Sequence, residues 1–253
     1  MKENLVKNKL ENGEAAVGVW LSLGSPNIAE YIANFELDWL CVDTQHGLFG
    51  HNQVIRSFQA ISKTGTVPIA RVASNERFLV NKLQDAGTMG IIFPMINSKK
   101  EAEKAVDYAL HSPKGSRSCG GARQKLYSDK KSFESFSQWV DEETLIIVMI
   151  ETAQAVKNAE SILSVEGIDA CFIGPRDLAT SMETKVGSKL HENAIMKTLE
   201  ASKKKGVPAG IYCFTGAEEA NKRLEQGFQL ISIASDTALI GSSIHRINEE
   251  LKL

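Results

Sequence analysis

Two carboxylates follow directly on apolar runs. Leu145–Ile150 reads LIIVMI and leads into Glu151. Ala170–Ile173 reads ACFI and breaks through Gly174-Pro175-Arg176 into Asp177. Short runs this rich in Ile and other apolar residues fit strands buried on both faces. Acids just beyond neighbouring buried strands would share one mouth. Two carboxylates with open positions left for water and substrate oxygens suit a divalent cation such as Mg²⁺ or Mn²⁺. Each acid could instead cap the helix after it or pair with an arginine. His46, within Asp43-Thr44-Gln45-His46-Gly47, could act as a general base near neutral pH or be a loop histidine bonded to the backbone. Arg71, directly after Val67–Ala70, could clamp a carboxylate through two hydrogen bonds or close a salt bridge inside the mouth. Arg176 and the pair Arg117 and Arg123 are weaker anion-binding candidates, because loop arginines often only face solvent. No expected strand end carries a lysine, which argues against an imine mechanism.

These residues need a frame. Strands are expected at Ala16–Leu21, Trp39–Val42, Val67–Ala70, Gly90–Phe93, Leu145–Ile150, Ala170–Ile173, Pro208–Tyr212 and Gln229–Ala234. Helices are expected over 2–11, Asn27–Asn34, Asn52–Lys63, from Ser74 or Asn75 to Ala86, and from Ser98 with Glu101 in capping-box spacing. Further helices follow at Ala153–Leu163, Glu192–Lys205, Ala217–Glu225 and from about Leu239. Residues 112–128 read as a long Gly/Ser/basic loop, and a loop of that length in a compact domain is usually functional. Eight strands alternating with helices argue for a closed (β/α)8 TIM barrel spanning 1–253 as a single domain. An open doubly wound sheet is the alternative, but no GxGxxG follows the first strand. Chemistry in such a barrel sits at the C-terminal strand ends. Those ends present Asp43, Gln45, His46, Arg71, Glu151, Arg176, Asp177, Ser235 and Asp236, with Trp20, Pro94 and Tyr212 as walls.

The net charge of −2 gives no basic excess, so nucleic acid is not an expected partner. The N-terminal stretch is polar, without a signal-peptide core, and no apolar run approaches a membrane span, so a cytoplasmic protein is expected. The four cysteines form no CxxC pair and read as reduced thiols in the core or a pocket wall.

An ordered set of motifs then stands out: Gly18-Val19-Trp20-Leu21-Ser22-Leu23-Gly24-Ser25, Asp38-Trp39-Leu40 with Asp43-Thr44-Gln45-His46-Gly47, Pro68-Ile69-Ala70-Arg71-Val72, Phe93-Pro94-Met95, Pro113-Lys114-Gly115-Ser116-Arg117, Ile150-Glu151-Thr152, and Phe172-Ile173-Gly174-Pro175-Arg176-Asp177-Leu178. Together they resemble the HpcH/HpaI aldolase/citrate lyase family, over about residues 4–250. The resemblance implies a phosphoenolpyruvate/pyruvate-type barrel with its last helix swapped between neighbours, in a homo-oligomer that is usually a hexamer. It implies metal ligands Glu151 and Asp177 for Mg²⁺, Mn²⁺ or Co²⁺, and a base at His46 supported by Asp85. It also implies an oxyanion contact at Arg71 and a pyruvate carboxylate contact at the backbone of Arg176 and Asp177. Trp20 would wall the substrate site. The 112–128 loop would lie near a neighbouring subunit's site and help form the rim that meets the aldehyde.

The implied reaction is metal-dependent, reversible cleavage of a 4-hydroxy-2-oxo (2-keto-3-deoxy) acid to pyruvate and an aldehyde through a pyruvate enolate. A malyl- or citramalyl-CoA type thioester lyase, an oxaloacetate decarboxylase or tautomerase, and a non-catalytic barrel are the alternatives. Three positions depart from some members and bear on substrate preference. Gln45 stands where some carry Glu, Met149 where some carry Gln, and Arg176 where some carry a small residue.

Overall fold

The computed structural model describes residues 3–121, 123–130 and 132–251. Lys2 of the first expected helix and Ala122 of the long loop lie outside the described residues, as do Met1, Lys252 and Leu253 at the ends of the expected domain.

Eight parallel strands pair in sequence order and close: β1 (Ala16–Leu21), β2 (Trp39–Asp43), β3 (Val67–Arg71), β4 (Gly90–Phe93), β5 (Leu145–Ile150), β6 (Ala170–Ile173), β7 (Ala209–Tyr212) and β8 (Leu230–Ser235), with β8 returning to β1. The (β/α)8 barrel is therefore the fold. A two-residue period hides inside the uniformly apolar runs. Leu145, Ile147 and Met149 of β5 join Trp39, Ile69, Ile92 and Phe172 in the barrel interior, while Ile146, Val148 and Ile150 pack outward beneath the helices. Successive strand side chains point to opposite faces, and both faces here are covered.

The surrounding helices are α1 (Leu5–Glu11), α2 (Pro26–Ile32), α3 (His51–Ile61), α4 (Arg77–Ala86), α5 (Lys99–Ala109), α6 (Phe133–Glu143), α7 (Ala153–Ile162), α8 (Pro175–Ser181), α9 (Lys189–Lys205), α10 (Ala217–Gln226) and α11 (Asp236–Glu250). The expected Ser98 cap forms, accepting from the Glu101 N–H, while the Glu101 carboxylate takes the N–H of Asn97. Two helices were not expected. α6 starts at the Ser132 cap and buries Phe136, Trp139 and Val140 along one stripe. α8 starts at Pro175, so Asp177 sits in a first helical turn rather than a loop. No helix among the described residues is long and apolar enough to cross a membrane. Cys41, Cys171 and Cys213 are buried thiols, whereas Cys119 is exposed, outside the core.

α1 closes the N-terminal end of the barrel. Its Val6 and Leu10 are buried, and Asn4 at its cap donates from Nδ2 to the carbonyls of Met89 and Glu143, at 2.8 Å each. Lys7 pairs with Asp169 at 3.0 Å. At the other end, buried Asp236 accepts the N–H groups of Ser22, Leu23 and Thr237, which ties the loop after β1 to the start of α11. Access to the interior is thus from the C-terminal strand ends.

Closure also needs room at one crossing. A Cβ on Gly18 would lie 2.1 Å from the Trp39 ring and 2.4 Å from the Trp39 carbonyl oxygen. The carbonyl belongs to the neighbouring strand and cannot move aside. Gly18→Ala should therefore cost about 2 kcal/mol or more of stability, read as a lowered midpoint in denaturant; an unchanged midpoint would refute this account of the β1–β2 contact.

Candidate active site

The strand period aims three ionisable side chains inward. Trp39 and Cys41 of β2 face the interior, so Asp43 does too; Val67 and Ile69 of β3 carry Arg71; Leu145, Ile147 and Met149 of β5 carry Glu151. Asp43 and Arg71 are register partners on adjacent strands. Arg71 Nε donates to Asp43 Oδ1 at 3.0 Å and Nη2 to Asp43 Oδ2 at 2.6 Å. Burial opposes the Arg71 charge, but Asp43 outweighs it and the guanidinium titrates above its usual range. The salt bridge inside the mouth is therefore present, and it fixes the guanidinium rather than hiding it. Nη1 makes no hydrogen bond among the described residues, and the group lies 4.7 Å over the Trp20 ring. Trp20 is itself buried, its ring tilted against Phe172, with Nε1 unpartnered.

Asp43 has a second task. Its Oδ1 also accepts the N–H groups of Gln45, at 3.0 Å, and His46, at 3.2 Å. One carboxylate thus sets both the guanidinium and the turn that carries the imidazole. His46 is exposed, and its ring makes no hydrogen bond among the described residues. Asp43 was legible as a strand-end acid but not as Arg71's partner; opposite charges of one parity on adjacent strands were the available signal.

Glu151 is 1 % exposed. Its Oε1 accepts the Met95 N–H at 2.7 Å, and its Oε2 is buried without a partner. Burial pushes its pKa up to about 7; the Met95 N–H opposes this, nearby Asp177 adds to it, and Arg71 opposes it. β5 and β6 are paired with Ile150 opposite Ile173, so Glu151 comes level with Gly174. A Cβ at Gly174 would lie 2.6 Å from Oε2. The carboxylate keeps its place because that residue has no side chain, and its unpaired oxygen is what a cation would satisfy. Asp177, one helical turn further on, is exposed and lines the same cavity as Gly174. Among the described residues no group of three or more His, Cys, Asp or Glu side chains is placed to hold a metal. A cation here would have two carboxylate ligands and complete its shell with water or substrate oxygens, which suits Mg²⁺ or Mn²⁺.

Trp20, Asp43, His46, Arg71, Met149, Phe172, Arg176, Asp177, Tyr212, Phe214, Ser235 and Thr237 line one cavity of about 640 Å³. Among the described residues no lysine lines it. A cleft of about 650 Å³ beside α1 holds none of these residues.

Two expected contributors lie elsewhere in the chain. Asp85 is in the last turn of α4, a helix that runs back towards the N-terminal strand ends, and it accepts from Arg117 Nη2 at 3.3 Å. Within one chain it does not support His46; the acid at that turn is Asp43. The 112–128 loop leaves the end of α5 and leads through α6 to the start of β5. A connection from helix to strand belongs to the N-terminal face, so this loop is not part of its own chain's rim.

With this geometry in view, the comparisons are specific. The sequence profile of the HpcH/HpaI aldolase/citrate lyase family matches residues 16–242. A 4-hydroxy-2-oxo-heptane-1,7-dioate aldolase of Shigella flexneri is 32% identical over 245 residues, 94% of this chain and 89% of the relative. A hydroxypyruvate/pyruvate aldolase of Pseudomonas aeruginosa is 30% identical over 254 residues, 98% of this chain and 93% of the relative. The crystal structure of an HpcH/HpaI aldolase/citrate lyase family protein from Burkholderia cenocepacia J2315 superposes with a TM-score of 0.92 at 30% identity, covering 99% of this chain and 100% of that one. The chain belongs to the HpcH/HpaI aldolase/citrate lyase family.

Proposed function

We propose that this protein, a single barrel domain over 1–253, is a divalent-cation-dependent aldolase that reversibly cleaves a 4-hydroxy-2-oxo acid to pyruvate and an aldehyde. The observation that carries the reading is the buried Glu151 carboxylate, whose Oε2 has no hydrogen-bond partner among the described residues and lies against Gly174 of the cavity that Asp177 and Arg71 line. Relatives named as aldolases at 30% and 32% identity support it. Glu151 and Asp177 would hold the cation, Mg²⁺ or Mn²⁺ with Co²⁺ also suited. When bound, it would supply a Lewis acid for the 2-keto oxygen and a neighbouring carboxylate oxygen.

The chain's own groups divide the remaining work. Arg71, held by Asp43 and stacked on Trp20, offers its free Nη1 to the C2 oxygen as negative charge develops there. His46 takes the proton of the 4-hydroxyl, directly or through a water. The C3–C4 bond breaks, C4 leaves as the aldehyde carbonyl, and the bonding pair stays with C3 until a proton from solvent or His46 completes pyruvate. Trp20, Phe172 and Met149 form an apolar wall on the pyruvate half and exclude water from it. The backbone of Arg176 and Asp177 contacts the pyruvate carboxylate.

The protein would act as a homo-oligomer. α11 exposes Ile240, Ile244 and Ile247 at helical spacing, Leu251 is exposed just past its end, and Asp236 is its one buried residue. A second copy would cover this stripe, as the swapped last helix of the family does. Such an assembly could bring Asp85 and the 112–128 loop to a neighbour's mouth, which they do not reach in their own chain. In light scattering the wild type should exceed its 27.7 kDa chain mass severalfold and Ile244→Glu should lower the assembly; a monomeric wild type would refute this arrangement.

Two further outcomes test the chemistry. Adding Mg²⁺ or Mn²⁺ to chelated protein should raise the melting temperature, because a ligand that binds only the folded state stabilises it. Glu151→Gln should abolish the rise, and a rise that persists in this variant would place the cation elsewhere. In a pyruvate-release assay on 4-hydroxy-2-oxo acids, chelation should stop turnover. His46→Ala should lower kcat by about 10²-fold or more, and Arg71→Lys by a similar factor because Lys cannot reproduce the clamp with Asp43. Undiminished release from chelated enzyme would sink the mechanism.

A further inference from the structure

The cavity holds two guanidinium groups in opposite circumstances. Arg71 is buried and paired twice with Asp43. Arg176 is exposed, and its side chain makes no hydrogen bond or ion pair among the described residues. It is nevertheless placed: the guanidinium lies 5.1 Å over the Phe214 ring, and both residues line the cavity. Phe214 is fixed in turn. Its N–H donates to Glu219 Oε2 at 2.7 Å, and its ring packs on Tyr212 with centroids 5.0 Å apart. An arginine stacked on an aromatic face keeps its edge donors free for an anion.

Depth separates the two. Arg71, at 8 % exposure, lies on the floor, and Glu151, at 1 %, sits behind Gly174 of the same floor, where the 2-oxo acid end belongs. Arg176 and Phe214 stand at the rim, where the aldehyde end emerges. Resting on the aldolase reading above, we propose that Arg176, carried on Phe214, is the specificity determinant that selects aldehydes bearing a terminal anion, carboxylate or phosphate. Arg176 is the anion contact and Phe214 its positioning residue.

The test uses matched pairs in the aldol-addition direction with pyruvate and Mg²⁺: succinic semialdehyde against butanal, and glyceraldehyde 3-phosphate against glyceraldehyde. The wild type should favour the anionic member of at least one pair in kcat/KM, and the pair so favoured identifies the anion. Arg176→Gln should lower that preference by about tenfold or more, chiefly through KM, as expected for a lost charged hydrogen bond. Phe214→Leu should lower it in the same direction, and Arg176→Lys should recover part of it. Loss of equal size for both members would overturn the proposal, since it assigns Arg176 to the carboxylate common to all substrates; no wild-type preference would overturn it as well. Calorimetry keeps this apart from failure of the aldolase reading, because it needs no turnover. The wild type should bind 2-oxoadipate about tenfold more tightly than 2-oxohexanoate, and Arg176→Gln should bind the two alike. A wild type that binds both alike and also shows no preference in the phosphate pair refutes the role of Arg176, whereas binding of neither 2-oxo acid refutes the aldolase reading on which the proposal rests.

Discussion

A carboxylate sealed in the barrel with one oxygen unpaired is the constraint on which the rest of the site depends. An unmet polar group in the interior costs about 1–3 kcal/mol, and more when it is charged. Glu151 is in that position: Met95 satisfies Oε1, no group among the described residues satisfies Oε2, and burial pushes the pKa up to about 7. The neighbouring backbone is shaped to keep it there. Met95 takes a φ of 57°, a left-handed conformation that costs a non-glycine residue roughly 1–2 kcal/mol, and its N–H meets Oε1. Gly174 leaves out the Cβ that would strike Oε2. The two features hold the two oxygens of one carboxylate in place, and a positive charge in the space beside Oε2 would satisfy the oxygen left unmet. A core glutamate kept only for packing would not require this arrangement.

The same constraint explains why Arg71 is not left to meet Glu151 directly. A guanidinium free to swing would pair with the unsatisfied carboxylate and fill the place of a cation. Asp43 prevents this by holding two of the three guanidinium nitrogens, and the Trp20 ring limits movement out of that plane. Replacing either partner of a buried pair strands the other charge, so the clamp is costly to break as well as rigid. Asp43 also fixes the His46 turn through backbone donors, which leaves the imidazole free on the cavity side. Rigid floor and unbound base then follow from a single acid.

Much of this was legible because strands obey a parity rule. The boundaries of β1, β4, β5 and β6 fall where the apolar runs place them, and each functional strand end continues the inward parity of its strand. What escaped depends on order in space rather than pattern along the chain. α6 was missed because Phe136, Trp139 and Val140 follow a loop dominated by Gly, Ser and basic residues, which draws attention from the helical stripe. The 112–128 loop, which the resemblance sets near a neighbouring subunit's site, runs between a helix and a strand and so lies on the opposite face of its own barrel. Asp85 is placed on that face too: Leu83-Gln84-Asp85-Ala86-Gly87 ends a helix, so its own barrel carries it away from its own mouth.

The division between floor and rim gives the family's fold its chemical latitude. Floor residues sit on strand ends, where parity and sheet register leave little freedom, and their task concerns only the atoms common to every 2-oxo acid. Rim residues sit on α8 and on the loop after β7, where a substitution disturbs no register. Arg176 occupies such a position, next to Asp177 yet pointing its charge to Phe214 rather than to a neighbouring acid. Met149, by contrast, lies on the floor among Trp20 and Phe172, where an apolar side chain excludes water without adding a second donor. On the proposed reading, changing the floor would alter whether the reaction proceeds, and changing the rim would alter which aldehyde it delivers. A cavity with one compensated and one uncompensated guanidinium has both functions separated by depth, and that separation lets one barrel keep its chemistry while its substrate changes.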